Sequence, residues 1–341
     1  MTPAPTTAST VSGPSAGGHV LPRQPALDGW RGISILCVLA GHMLPLGPKP
    51  YRMNEAVPQI GMCLFFVLSG YLITMTLLKR PSVSEFLIRR LCRILPLAWL
   101  FLAVVLPLSR APSSLYRAHF LFYANIPPIR LTGWTGHFWS LCVEVQFYVG
   151  VAILFRLAGR KSLWVLPFLA LAVSAFRAWN GDFASIVTYH RIDEIFAGAT
   201  LALVCACPLA ARVKGMLNRI PPYAAMALLV ICCHPSLGMV NYVRPYAGML
   251  TVGSTLWRPS GQRIAWLESR VLRYLAEISY GLYVLHPLTM HGWFDPANKV
   301  VKYLRRPVGF ALSFAGAHLS ARFYESRWIA LGKRYRADMG G

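Results

Sequence analysis

Residues 27–44 read LDGWRGISILCVLAGHML, and this stretch decides what kind of protein the chain makes. It is an apolar helix pattern with Arg31 near its start and His42 near its end. With 3.6 residues per turn, positions eleven apart return to within about 20° of one face, roughly 16 Å apart along the axis. Two ionisable side chains therefore look the same way from different depths of one hydrophobic helix. A charge in lipid is costly, and such residues normally face a bundle interior and mark function. The plainer alternatives are an Arg31 that snorkels to a headgroup and a His42 that merely caps a helix pair.

Working outward, the composition supports a membrane setting. The chain has 341 residues, of which 55% are hydrophobic and only 13% charged, against about 25% charged in a soluble domain. The reading is all-α: a polytopic membrane helix bundle. The net charge of +22 would suggest nucleic acid in a soluble protein. Here the basic residues sit in short loops between apolar segments, so no nucleic-acid partner is expected and membrane lipids are. The eight cysteines fall in or beside apolar segments without a CxxC or Cys/His array. They read as small buried residues, and no metal is implied.

About ten transmembrane helices are expected, at 30–46, 58–78, 92–109, 138–156, 162–179, 191–208, 220–234, 240–257, 275–293 and 307–325. With the N-terminus inside, about two thirds of the 34 Lys and Arg fall on the cytoplasmic side, which favours cytoplasmic N- and C-termini. Residues 1–26 lack the apolar core of a signal peptide and read as a disordered cytoplasmic tail. The transmembrane domain is expected over 27–336, with a short tail at 337–341.

Polar residues inside the apolar segments are the candidates for chemistry. In 137–148, HFWSLCVEVQFY, His137, Ser140, Glu144 and Tyr148 recur at three, four and four, which makes one polar stripe on a helix. Glu144 needs a partner at that depth, and His42 is the natural one, because a carboxylate beside an imidazole orients it and raises its basicity. In 85–96, EFLIRRLCRILP, Arg89, Arg90 and Arg93 crowd a helix start; the last two are neighbours one turn apart, suited to a phosphorylated ligand. In 278–287, ISYGLYVLHP, Tyr280, Tyr283 and His286 share a face, and Pro287 should bend the helix. His286 reads equally as pore-lining or structural. Ser69 and Gly70 of FFVLSGYLI read as small residues for close helix packing rather than a nucleophile. Arg191, Asp193 and Glu194 read most simply as an interfacial ion-pair cluster at a helix end, with an acceptor entrance as the alternative, and Glu325 as an ion-pair partner at the cytoplasmic boundary. Loop 110–136, with Tyr116, His119 and Arg130, can form an aromatic belt or shape acceptor choice.

Taken in order, these segments, with RIDEIFAGATLA and YESRWIALGKR, resemble the bacterial acyltransferase-3 family of integral membrane O-acyltransferases over about residues 26–336. Arg31 and His42 meet its arginine–ten–histidine signature, Arg90 and Arg93 its arginine–two–arginine pattern, and Ser140 and Glu144 its serine–three–glutamate pattern. The resemblance implies no permanently bound cofactor. It implies a cytoplasmic acyl-CoA donor, most often acetyl-CoA, and a glycan or lipid-linked sugar acceptor. O-antigen, exopolysaccharide, peptidoglycan and macrolides are acceptors in the family, and a bacterial inner membrane is the expected site. Some members add an extracytoplasmic SGNH domain, which is not expected here, where the chain ends soon after Glu325.

The expected mechanism follows. Arg31, Arg90 and Arg93, with Arg89, hold the donor phosphates. His42, oriented by Glu144, takes the acceptor's proton, and Ser140, His137 or His286 donates to the oxyanion. An acyl-His42 intermediate is the variant. A polytopic transporter or exporter of a sugar or lipid is the rival, since it too would carry intramembrane His, Glu and Arg. Acyl chain, acceptor, oligomeric state and any partner protein are not legible.

Overall fold

The computed structural model describes residues 24–338 except 260, 261 and 263, so the expected tail falls outside the described residues up to residue 23. Among the described residues all regular structure is helical. Thirteen α-helices run in order: α1 Pro25–Met43, α2 Met53–Lys79, α3 Val83–Leu108, α4 Ser113–Phe120, α5 Trp139–Ala158, α6 Leu166–Asn180, α7 Asp193–Val204, α8 Ala210–Arg219, α9 Pro222–Cys233, α10 Arg244–Leu256, α11 Arg270–Leu285, α12 Lys299–Leu319 and α13 Ser326–Asp338.

Each of the ten expected spans overlaps one of these helices, but fewer are long and apolar enough to cross alone. Four helical runs are long and apolar enough to cross a membrane: Lys49–Lys79, Val83–Leu108, Gly136–Ala158 and Arg160–Asn180. The pair α8 and α9, bent by 81°, makes a fifth if counted as one span. For α7 the reason is length. At 12 residues α7 extends only about 18 Å, against the roughly 30 Å of a hydrocarbon core. It lies inside the bundle against α2, α6 and α10 and has no need of a lipid-facing length.

Local sequence sets the helix ends. Leu44, Pro45, Gly47 and Pro48 stop α1, and Pro25 opens it at a position where a missing N–H is tolerated. Ser82 opens α3 by accepting a hydrogen bond from the Glu85 N–H (3.3 Å), the first half of a capping box. That start sets Arg90 and Arg93 on the same side of the second and third turns. α11 stops at Leu285, one residue before His286-Pro287, and a 3-10 turn, His286–Thr289, takes over. The span expected over 275–293 is therefore terminated by Pro287 rather than bent.

At the centre, α2 is clasped by α1, α7, α9 and α10. Gly70 and Gly198 let α2 and α7 touch. A Cβ on Gly70 would lie 1.9 Å from the Ile195 carbonyl oxygen, and one on Gly198 would lie 2.0 Å from that of Val67. The expectation of close packing at Gly70 is met by backbone against backbone.

Candidate active site

Two cavities lie end to end in the bundle and share Met62 and Tyr283 in their walls. The inner one, about 90 Å³, is lined by Arg31, Arg90, Arg93, Ser69, Ser140, Glu144, Tyr148 and Tyr280, with Phe65, Phe66, Ile94 and Leu141 as apolar wall. The outer one, about 410 Å³, is lined by His42, His137, His286, His291, Gln59 and Trp139, with Gly133, Gly136 and Ile186 among the rest. Small-molecule sites commonly run from about 300 Å³ upward, so the outer cavity is ligand-sized and the inner one is narrow; the neck between them lies at Met62 and Tyr283.

Several of the helices that build the cavities run through both, some in one direction and some in the other. Along α1 the chain passes from Arg31 in the inner cavity to His42 in the outer one. Along α2 it returns, from Gln59 through Met62 to Ser69. The α5 stripe also straddles the neck. His137 sits in the 3-10 turn Gly136–Phe138 before the helix and faces the outer cavity, whereas Ser140, Glu144 and Tyr148 face the inner one. Spacing of three and four along one face thus becomes depth along one passage.

The inner wall sets three guanidinium groups against a single carboxylate. Ser69 donates to Glu144 Oε1 at 2.6 Å, and Tyr148 Oη donates to the same oxygen. Arg90 lies over the Tyr148 ring, 6.0 Å from its centroid. Such a wall favours an anionic ligand with a long apolar tail, because guanidinium forks suit phosphate and the aromatic sides suit methylenes. Arg89 does not join it. Arg89 pairs with Glu85 at 2.7 Å, one turn earlier on α3.

The expected His42–Glu144 pair does not form. His42 Nδ1 lies 3.0 Å from His286 Nε2, and the rings stack at 5.2 Å. Glu144 belongs to the inner cavity and His42 to the outer, because Arg31 and His42 stand at opposite ends of α1. His286 is thereby removed from the oxyanion donors: Nε2 faces His42, and Nδ1 faces the carbonyls of Tyr283 (2.8 Å) and Leu282 (3.2 Å). Ser140 Oγ lies 2.5 Å from Tyr283 Oη, which also donates to the His137 carbonyl at 2.5 Å. Tyr280 Oη donates to the Ile94 carbonyl at 2.5 Å. The buried Nε2 of His137 has no partner among the described residues, which leaves it as the free nitrogen beside the neck.

Three further expectations are corrected. Arg191, Asp193 and Glu194 are fully buried, not interfacial. Arg177 of α6 bonds Asp193, Arg244 of α10 reaches Glu194 at 2.6 Å, and Arg191 lies 3.5 Å from Glu194 and donates to Gln59 of α2 at 2.6 Å. Glu325 is buried and accepts from Ser320 Oγ at 2.8 Å within a π-helical turn; among the described residues it has no ion pair. His119 is also buried and holds its own loop together, bonded to Leu115 O and Thr135 Oγ1. Ser69 was legible only as a small polar residue in an apolar run. Its spacing of seven from Met62 marks a shared face, but nothing local names Glu144 as its partner. Among the described residues no group of His, Cys, Asp and Glu could hold a metal ion.

The sequence matches the model of a family described as an acyltransferase domain over residues 24–321. It is similar to a Bacillus subtilis (strain 168) protein provisionally named a peptidoglycan O-acetyltransferase: 29% identical over 325 residues, covering 77% of this chain and 48% of that one. It is also similar to a peptidoglycan O-acetyltransferase of Listeria monocytogenes, 23% identical over 360 residues, with 89% and 55% covered. A Staphylococcus aureus (strain COL) protein provisionally named an O-acetyltransferase is 25% identical over 355 residues, with 89% and 56% covered. The chain thus spans about half the length of the curated relatives it matches. No solved structure matches it.

Proposed function

The chain belongs to the acyltransferase-3 family, and from that premise we propose that it moves an acyl group, acetyl first among them, from a cytoplasmic acyl-CoA to a sugar hydroxyl outside a bacterial inner membrane. The observation that carries the proposal is the pair of joined cavities, one walled by arginines and the other by histidines, with Arg31 and His42 of one helix in each. Arg90, Arg93 and Arg31 receive the phosphates of the donor, and the pantetheine arm runs along Phe65, Phe66 and Ile94 toward Met62. The acceptor enters the outer cavity. There the free ring nitrogen of His42 takes the hydroxyl proton, and the oxygen attacks the thioester carbonyl. The C–O bond forms, the C–S bond breaks, and the thiolate leaves and takes up a proton. A positioned base contributes about 10²–10⁴-fold; alignment in a dry passage supplies much of the rest.

α1 and α11 pass from the inner to the outer cavity and α2 and α5 pass the other way, which, together with the basic excess on one side, supports cytoplasmic termini and a span count near ten. The names of the relatives make peptidoglycan the first acceptor to test. Membranes bearing the protein, given acetyl-CoA labelled in the acetyl group, should transfer label to a glycan, and His42→Ala should abolish transfer in folded protein. Movement of a substrate across the membrane without ester formation would instead make the chain a transporter.

A further inference from the structure

Pro287 has no N–H. In a continuing helix the group at that position would donate to the carbonyl of Tyr283, four residues back. Proline leaves that carbonyl free, and the His286 side chain takes it: Nδ1 lies 2.8 Å from Tyr283 O and 3.2 Å from Leu282 O. A carbonyl oxygen only accepts, so Nδ1 must carry the hydrogen. In a neutral imidazole the other nitrogen then holds a lone pair. His286 Nε2 is therefore an acceptor, and its hydrogen-bond partner among the described residues, His42 Nδ1 at 3.0 Å, must donate to it. That assignment propagates one step further. With its hydrogen on Nδ1, His42 has its lone pair on Nε2, which has no protein partner among the described residues, on a ring that lines the outer cavity.

We propose that His286 is a positioning residue that, held by the carbonyl Pro287 frees, keeps His42 in the tautomer whose Nε2 can accept a proton from the acceptor hydroxyl. This rests on the reading of His42 as the base. His286 lines the outer cavity beside His42, but both of its ring nitrogens are engaged by protein groups, so it acts on the reaction through His42. It does for His42 what a buried carboxylate does in a serine-protease triad, setting tautomer and ring direction, but as a neutral group. When His42 takes the proton, its Nδ1–H bond to His286 becomes charge-assisted and strengthens. The ring is 1% exposed and rigidly backed, so the pair needs no carboxylate, and Glu144 remains with the arginines.

The test uses full-length protein in lipid nanodiscs with ¹⁵N-labelled histidine, the His42 signals being assigned by their loss in His42→Asn. The expected native result is His42 protonated on Nδ1. In His286→Met the acceptor is gone; His42 should lose that tautomer preference, and kcat should fall about 10²-fold or more with the acyl-CoA KM unchanged. His286→Gln restores an acceptor oxygen near the position of Nε2 and should recover kcat to within about tenfold of native. Pro287→Ala returns a competing N–H to Tyr283 O and should weaken the preference without removing His286. A native His42 protonated on Nε2, or a His286→Gln variant no better than His286→Met, would overturn the proposal. If His42 carries its hydrogen on Nδ1 but His42→Ala keeps full transferase activity, the tautomer assignment stands and the general-base reading fails.

Discussion

At the scale of single residues, the two ends of the passage divide the work by charge. Arg90 faces the inner cavity with no carboxylate paired to it among the described residues, as the proposed donor site requires, whereas Arg89, its neighbour, is spent on Glu85. Arg90→Ala should therefore raise the acyl-CoA KM by about 10–100-fold, the worth of one charge-assisted hydrogen bond, and change kcat little. Arg89→Ala should leave KM within about twofold, because the pair it breaks is partly exposed and lies outside the inner cavity. Steady-state kinetics on both variants checks this, and equal KM effects would refute the distinction. The arginine pair was legible from its spacing. The division between Arg89 and Arg90 was not, because it depends on where Ser82 starts α3.

At the scale of elements, helix contact is set by what is missing. Gly70 and Gly198 interlock α2 and α7, and either one changed to Ala would press a methyl group on a carbonyl oxygen that cannot move without its helix. Each change should destabilise the protein by at least about 1–3 kcal/mol. Gly150, on the exposed face of α5 with nothing within 4 Å, is the control. Gly150→Ala should be neutral or stabilising by up to about 1 kcal/mol, the helix propensity of Ala over Gly. Thermal unfolding in one detergent compares the three variants, and a Gly70→Ala protein as stable as native would contradict the packing. The buried network of Arg177, Arg191, Arg244, Asp193 and Glu194 then joins α6, α7 and α10 around this contact. Three of its five residues were visible in RIDE, but its burial was not: Arg177 and Arg244 come from distant segments, and only their arrival lets the acids leave water.

At the scale of the whole molecule, the proposed transfer depends on the join between the cavities. Met62 and Tyr283 stand in both walls, and Met62 is a flexible gap-filler that a wider side chain cannot imitate. Met62→Trp should leave acyl-CoA binding at the arginine end within a few-fold but reduce acyl transfer about 10²-fold, the loss expected when reacting groups are held about 1 Å apart from their productive approach. Ligand binding and turnover measured on one preparation separate the two effects. Unimpaired transfer would mean that donor and acceptor do not meet through this neck.

The chain by itself determined the helical class, the membrane setting, the family and the individual polar residues on α1, α3, α5 and α11. These follow from composition and from periodicities of three, four and eleven, which are local and repeat with the helix. Only the tertiary structure decided who faces whom. Arg31 and His42 share a face but stand in different cavities, Glu144 is held by Ser69 and Tyr148, and His42 answers to His286, 244 positions away in the chain. Periodicity tells which side of a helix a residue is on. It carries no information on how far one helix has slid along another, and that axial register determines which side chains meet.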